Sequence, residues 1–474
     1  MKRLFTTPTL IACILLAITA CTAPATKQGI SIIEGVWERG TPETIQLFAI
    51  ENGELNAIAS ARRGAEGEFL LAFRPQAEGF YAIGTSATNR RNFHVFYFKP
   101  GDHLNVRVLA SGFELTGNNT PENIEIAKWH EFIRPMEEIA FMTTPEGRMS
   151  TYVDFFPLLI EKEAALKNLP PVTTRNRTFN SVFETFRKVD FLAQAINFSL
   201  TPRSRHPQNE DHPDFFRNIA LTDITSSDFL LYYPLGVRLL ANTYKVSVMR
   251  DVSLSAEERS RMLRNPAEFI LNEPTIINPV LKGELTVFFA HNNQTLAGFN
   301  EYVSRFGHLI QTDSQRERMR TIEIDLFANA EGNEAIDFRF PDINGNMVAL
   351  SDFRGRVVYI DVWATWCAPC RSEIPHLREI AAEFQGNNNL VILGVSVDAT
   401  RDRSAWEEYV RANKQFGVQL FAGDDAQNNL MIPYQIRGIP RFILIGKDGR
   451  VMLADAPRPS SPEIRAVLND ALRR

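Results

Sequence analysis

A strand-like apolar run, Val357–Trp363, passes directly into a helical pattern opened by Cys367-Ala368-Pro369-Cys370. This junction constrains the fold more than any other feature of the chain. A Cys at the start of a helix sits among backbone N–H groups that have no intrahelical acceptor, and the dipole there favours an anion. The Cys367 thiolate is thereby stabilised, and the thiolate is the nucleophile of thiol–disulfide exchange. Cys370 lies one turn further in, placed to attack a mixed disulfide formed on Cys367. Pro369 removes a backbone donor where donors are in excess. Two such cysteines could also be half of a zinc site, but tetrahedral zinc needs further Cys or His ligands. The sequence has no second C-x-x-C, and no H-x-x-x-H lies nearby. The pair therefore reads as a redox-active dithiol, with no metal and no cofactor beyond its own disulfide.

The pattern around the pair alternates. Val391–Val397 reads as a second strand, and Arg403–Gln415 as a helix with Trp406, Tyr409 and Val410 on one face. Phe442–Ile445 and Val451–Ala454 predict a hairpin across Gly446-Lys447-Asp448-Gly449, and Ser461–Leu472 a closing helix. Strands alternating with helices mean an α/β sheet. A polar stretch, Ala330–Glu334, marks a linker, so the last domain spans 331–474.

A chain of 474 residues is too long for one core, and length alone suggests two to four domains. Residues 29–118 read as a small β-sandwich-like domain. Its runs Gln46–Ile50, Phe69–Phe73, Gly79–Thr85, His94–Phe98 and His103–Leu109 are separated by turn signals such as Asn89–Asn92 and Lys99–Asp102. Residues 119–330 change to helical spacing. Ile124, Ile126, Trp129, Phe132, Ile133 and Met136 recur at mostly three and four residues. Further helices are predicted over Tyr152–Asn168, Asn176–Leu200, Asp228–Val246, Ala256–Leu263, Leu281–His291 and Glu317–Ala328.

The first 20 residues read as a targeting segment. Lys2 and Arg3 are followed by an apolar run from Leu10 to Ala20, too short for a typical membrane span. Ile18-Thr19-Ala20-Cys21 resembles the bacterial lipobox. That resemblance implies cleavage before Cys21, lipidation of its sulfur, and a polar tether to about residue 28. Acyl chains anchor stably, since each buried methylene contributes about 0.8 kcal/mol. No Asp follows Cys21, which by resemblance to known sorting signals favours the outer membrane with the body in the periplasm. Net charge is −5, and no basic stripe with interleaved aromatics appears, so nucleic acid is not an expected partner. The remaining Cys, Cys13, leaves with the signal segment. Cys367 and Cys370 are then the only free thiols of the mature chain.

Asp361-Val362-Trp363-Ala364-Thr365-Trp366-Cys367-Ala368-Pro369-Cys370 closely resembles thioredoxin, as does Ile436-Arg437-Gly438-Ile439-Pro440. The TlpA/ResA branch is resembled more specifically. Cys370-Arg371-Ser372-Glu373-Ile374-Pro375, the entry Phe340–Asn346 with Leu350–Gly355, and the insert Val391–Gln415 all fit it. The resemblance covers about 140 residues and implies roles for several of them. Pro440 would be cis and face the disulfide, leaving Ile439 to pair with a substrate strand, with Trp366 beside it. Asp361 would be the buried acid that takes a proton from Cys370 as it attacks. Glu373 matches an active-site Glu of the tethered branch, or is an exposed first-turn Glu favoured by the dipole. Arg441 stands where thioredoxins usually have Thr; it could favour the thiolate or acidic substrates, or point to solvent. His376 reads as a surface residue.

The expected activity is reduction of protein disulfides in the cell envelope, with a membrane thiol carrier rereducing the enzyme. Ala-Pro between the cysteines and Ile before Pro440 resemble reducing members more than the oxidant DsbA. The alternatives are an oxidase or isomerase of the same fold, or a partner-binding lipoprotein with secondary redox activity. A redoxin-type peroxidase would need Thr-x-x-Cys, and Thr365 stands only two residues before Cys367.

Overall fold

The computed structural model describes residues 29–474 except 89, 142–148, 226 and 415. The expected signal segment, Cys13 and Cys21 lie outside the described residues. Residues to Ile50, Leu55–Glu138 and Leu169–Arg187 form one compact unit, and Glu51–Glu54, Ile139–Asn168 and Lys188–Arg474 form a second.

The first unit holds strands β1 (Ser31–Trp37), β2 (Thr44–Glu51), β3 (Glu54–Arg62), β4 (Glu68–Phe73), β5 (Gly79–Gly84), β6 (Phe93–Phe98), β7 (His103–Leu109) and β8 (Gly112–Leu115). They form two four-stranded sheets, ordered β4-β1-β7-β8 and β3-β2-β5-β6. Phe73 of the first sheet packs on Tyr81 and Phe98 of the second, with ring centroids 5.2 and 5.1 Å apart, so the two inner faces close on one core. β1, β3 and β8 are absent from the sequence expectation. Glu34-Gly35 interrupts the first, β3 carries mostly exposed positions, and β8 has four residues.

All six residues of β6 are buried although it is an edge strand. Helix α1 (Pro121–Ala140) covers that edge chemically. The Asn123 side chain accepts from the Tyr97 N–H at 2.8 Å and donates to the Tyr97 carbonyl at 3.0 Å. One amide thus replaces the missing neighbour strand and blocks edge pairing.

Two histidines in this unit set a pH response. The His94 and His130 rings lie 5.6 Å apart, with Phe113 stacked on His130. Burial, then the cations Arg90 and Arg134, pull the His130 pKa down to about 3. Burial, then His130, holds His94 well below its ordinary value. Unfolded histidines take up a proton near pH 6.5, whereas these do not while folded. Their contribution is therefore present above pH 6.5 and is lost as pH falls, for His130 down to about 3. We expect stability to fall by roughly 1.4 kcal/mol per pH unit for each histidine in that window. Denaturant unfolding of the full chain at pH 7 and pH 5 measures it, and His130→Phe should flatten the slope.

The second unit begins with helices α2 (Tyr152–Leu166), α3 (Arg177–Leu200, its first half in the other unit), α4 (Asp214–Arg217), α5 (Thr222–Thr225) and α6 (Gly236–Arg250). Then come α7 (Ala256–Arg264), α8 (Pro266–Ile270), α9 (Pro279–Ala290), α10 (Leu296–Phe306) and α11 (Asp313–Ala328). The helix expected from Asp228 starts instead at Gly236. Leu235 adopts φ 59°, and a Cβ on Gly236 would meet the Leu230 carbonyl oxygen at 2.0 Å, so the chain turns there before it can coil. Helix α10 was not expected from the sequence; Thr295 caps it by accepting from the Gly298 N–H at 3.1 Å. Among the described residues no helix is long and apolar enough to cross a membrane.

The C-terminal part opens with the pair β9 (Arg339–Pro341) and β10 (Met347–Ala349). There follow β11 (Val357–Trp363), α12 (Ala368–Glu383), β12 (Leu390–Ser396), α13 (Arg403–Asn413), β13 (Val418–Phe421), β14 (Arg441–Ile445), β15 (Val451–Leu453) and α14 (Ile464–Arg473). The five-stranded sheet is ordered β13-β12-β11-β14-β15, with β11, β12 and β13 parallel and β14 antiparallel to β11. This is a thioredoxin-like mixed sheet whose one face is covered by α12 and α14 and whose other face packs on Ala426 and Leu430 of the short helical segment 423–431. β13, only four residues long, is the strand absent from the sequence expectation.

Candidate active site

Every residue of the central strand β11 is buried. Successive side chains of a strand alternate between faces. Val358, Ile360 and Val362 join the core on one face. Val357 and Tyr359 join the other, against Leu377 and Ile380 of α12 and Leu468 of α14. The same alternation puts Asp361 on the α12 side, among apolar residues.

Strand β11 ends in a tight turn in which the Cys367 N–H donates to the Ala364 carbonyl at 3.2 Å. Cys367 is the N-cap of α12, and its Sγ accepts the Cys370 N–H at 3.2 Å. The two cysteines are joined in a disulfide with Cα atoms 5.3 Å apart. Both are buried, in a cluster with Trp363, Ala364, Trp406, Val410 and Phe421. Trp366 between them and the strand is 66% exposed. An open indole therefore borders a covered disulfide.

The Ile439–Pro440 peptide is cis, and Ile439 packs on the cysteine cluster. The structure thus brings Cys367, Cys370, Trp366, Ile439 and Pro440 to one end of the sheet. Arg441 does not reach solvent. It is 3% exposed, pairs with Asp455 at 3.1 Å, and donates to the carbonyls of Ala454 and Gln294. Its guanidinium is committed to these partners. His376 is exposed. Glu373 is buried, and its carboxylate accepts from the Ser460 N–H and hydroxyl, both at 2.9 Å. An exposed first-turn Glu is therefore not what α12 presents. Glu373 falls on the face that carries Cys370, Leu377 and Ile380, at three-, four- and seven-residue spacing.

Asp361 forms an ion pair with Lys414, the C-cap of α13, and both side chains are buried. The Lys414 ammonium also stands 4.0 Å from the centroid of the Trp363 ring. Burial pushes the Asp361 carboxyl up, Lys414 opposes this, and Glu373 adds to it. Burial likewise pushes the Lys414 ammonium down, with Asp361 opposing. Both shifts favour the neutral forms, as expected where charge is expensive to bury. A carboxyl so placed holds a proton more readily than an exposed one. Lys414 was missed in the sequence. Its signal was positional, since Trp406, Val410 and Lys414 recur every four residues along one buried helix face.

Asp398 was also missed. It follows β12, is fully buried, and binds the turn before Cys367. Among the described residues no cluster of three or more His, Cys, Asp or Glu could hold a metal ion.

A cysteine pair at a helix N-terminus, a cis-proline against it and a buried acid on the central strand define a thioredoxin-fold thiol–disulfide oxidoreductase. Residues 332–454 match the AhpC/TSA family. Thiol-disulfide oxidoreductase ResA of Geobacillus kaustophilus (strain HTA426) is 32% identical over 124 residues, which are 26% of this chain and 68% of that protein. ResA of Bacillus anthracis is 29% identical over 136 residues, 28% of this chain and 75% of that protein. A solved chain from Bacteroides vulgatus, a candidate thiol-disulfide oxidoreductase, is 40% identical, with 30% of this chain and 96% of that chain covered and a TM-score of 0.27. Through its C-terminal domain the protein belongs to the TlpA/ResA-like thiol-disulfide oxidoreductases of the thioredoxin family. These ResA relatives match little more than a quarter of this chain.

Proposed function

We propose that this protein is a membrane-tethered disulfide reductase of the periplasm, acting on disulfide-containing proteins. The placement of Cys367 carries the reading. Its Sγ lies at the N-terminus of α12 and takes the Cys370 N–H, a setting that favours the thiolate. Cys367 attacks a substrate sulfur, and the substrate leaves as a thiol when Cys370 displaces it. Two electrons pass to the substrate, and the enzyme is left as the Cys367–Cys370 disulfide. A membrane thiol carrier then returns those electrons. Asp361 accepts the proton that Cys370 loses, and burial is what makes its carboxyl basic enough. Ile439 and Pro440 dock the substrate strand beside Trp366. Among the described residues no hydrogen bond uses the Ile439 backbone N–H or carbonyl, which suits strand addition. Glu373 supports α12 beneath the pair through Ser460.

Direction is tested by equilibrating the full mature chain with defined dithiol buffers. A potential near that of thioredoxin, about −270 mV, is expected, whereas one near about −120 mV would make the protein an oxidant. A hydrogen peroxide arm should show no peroxidase turnover. Attachment is tested separately. Cys21→Ser should move the protein from the membrane to the soluble envelope fraction once the first 20 residues are removed, because the acyl groups supply the anchoring.

A further inference from the structure

Asp398 is fully buried and lies outside the machinery assigned above. One carboxylate oxygen accepts the Thr365 hydroxyl at 2.7 Å and the Thr365 N–H at 3.2 Å. The other accepts the same N–H at 3.0 Å and the Ser396 hydroxyl at 2.6 Å. Ser396 in turn accepts from the Asp398 N–H at 3.1 Å. The anchor is rigid, because Ser396 ends β12 directly beside Trp363 of β11, and the Val397 N–H donates to the Trp363 carbonyl at 2.9 Å.

Thr365 is the second residue of the turn that runs from Ala364 to Cys367. Both of its donors are held by a group two residues past the end of the neighbouring strand. That hold does not depend on the disulfide, so it persists when the cysteines are reduced. Without it, the turn would swing on the weaker Ala364–Cys367 bond alone. The Cys367 sulfur would then sample positions off the helix N-terminus, where the backbone N–H groups no longer stabilise an anion. The carboxylate could act instead through its charge, but a negative group near Cys367 would disfavour the thiolate. The two roles thus differ in sign.

We propose that Asp398 is a positioning residue, clamping the Thr365 turn so that Cys367 is presented as thiolate at the head of α12 and Trp366 faces the substrate. The proposal rests on the reading of Cys367 as the attacking thiol. It is tested on the reduced full chain by the rate of iodoacetamide alkylation at Cys367 at pH 7, read by mass spectrometry, alongside the thermal unfolding midpoint. In the unsubstituted chain Cys367 should react well before Cys370; if it does not, the reading of the nucleophile fails and the clamp is not at issue. Asp398→Asn and Thr365→Val should each slow alkylation about tenfold, the scale expected when a reacting group loses its fixed geometry. Thr365→Ser retains the hydroxyl and should stay within about twofold. Combining Asp398→Asn with Thr365→Val should add little, because both break one network. Rates within twofold of the unsubstituted chain, with only the unfolding midpoint lowered, would overturn the clamp. Faster alkylation in Asp398→Asn would also overturn it, in favour of a charge effect. Slowing by Thr365→Ser equal to that by Thr365→Val would show that the hydroxyl is not the link. Thr365→Val keeps the test available if Asp398→Asn does not fold.

Discussion

The Cys370→Ser chain, reduced and mixed with envelope proteins carrying disulfides, should accumulate as mixed disulfides through Cys367. Multiple turnover should fall by more than about a thousandfold, because the step that breaks the adduct has lost its nucleophile. The first step should survive. Cys367 keeps its place at the N-cap of α12, and the backbone N–H of residue 370 that its sulfur accepts is unchanged by the substitution. Cys367→Ser should abolish both the adducts and turnover. Non-reducing electrophoresis followed by peptide mapping reads both outcomes and also identifies the substrates. Adducts formed through Cys370 in the Cys367→Ser chain would reverse the assigned roles. Recovery of none from Cys370→Ser would count against a protein substrate. Burial sharpens the expectation. Both cysteines lie within the cluster that holds Trp363, Trp406, Val410 and Phe421, which limits the approach of outside thiols that could break an adduct.

The second large effect is expected at the buried pair. Lys414→Met leaves the Asp361 carboxylate without its counter-ion in a site that is closed to solvent. Removing one partner of a buried pair costs roughly 3–5 kcal/mol. The carboxyl escapes part of this cost by taking a proton, since burial already pushes it up and the Lys414 pull that opposes it is gone. The sign follows. A carboxyl whose folded pKa exceeds its unfolded value stabilises the fold below the unfolded value, near pH 4, and loses that contribution as pH rises through the folded value. The Lys414→Met chain should therefore lie closest to the unsubstituted protein in acid and fall away as pH rises to 8. Denaturant unfolding at pH 5, 6, 7 and 8 measures it. Asp361→Asn in the Lys414→Met background should recover part of the loss, because it removes the stranded charge. A protonated Asp361 is also no longer a base, so resolution by Cys370 should slow at neutral pH in Lys414→Met. A flat stability difference across this range would mean that Asp361 carries no charge at rest.

Much of the redox domain was legible because its signals are local. The strand Val357–Trp363 is a seven-residue apolar run broken by one Asp, and it forms β11 over those same residues. The helix expected from Cys367 forms over Ala368–Glu383, with Cys367 as its N-cap. The hairpin across Gly446–Gly449 forms as β14 and β15. Upstream, periodicity marked most helices but not their starts. Leu235 and Gly236 moved one start by eight residues through a backbone constraint that no hydrophobic spacing records. The interrupted strand β1 and the short strands β8 and β13 left too few alternating residues to register, and β3, though nine residues long, is mostly exposed and carries little apolar alternation.

By itself the sequence determined the chemistry: a C-x-x-C at a strand-to-helix junction, a proline after Gly-Ile, and an acid on the strand before the pair. These are contiguous patterns, and the physics behind them, helix-end donors and strand alternation, acts over a few residues. Tertiary structure alone decided the partners. Lys414 meets Asp361 across 53 positions, Glu373 meets Ser460 across 87, Thr365 meets Asp398 across 33, and Arg441 meets Gln294 across 147. Each is a buried polar group that must find a partner once water is excluded. Which partner it finds depends on how sheet and helices close over it, and no window of sequence contains that.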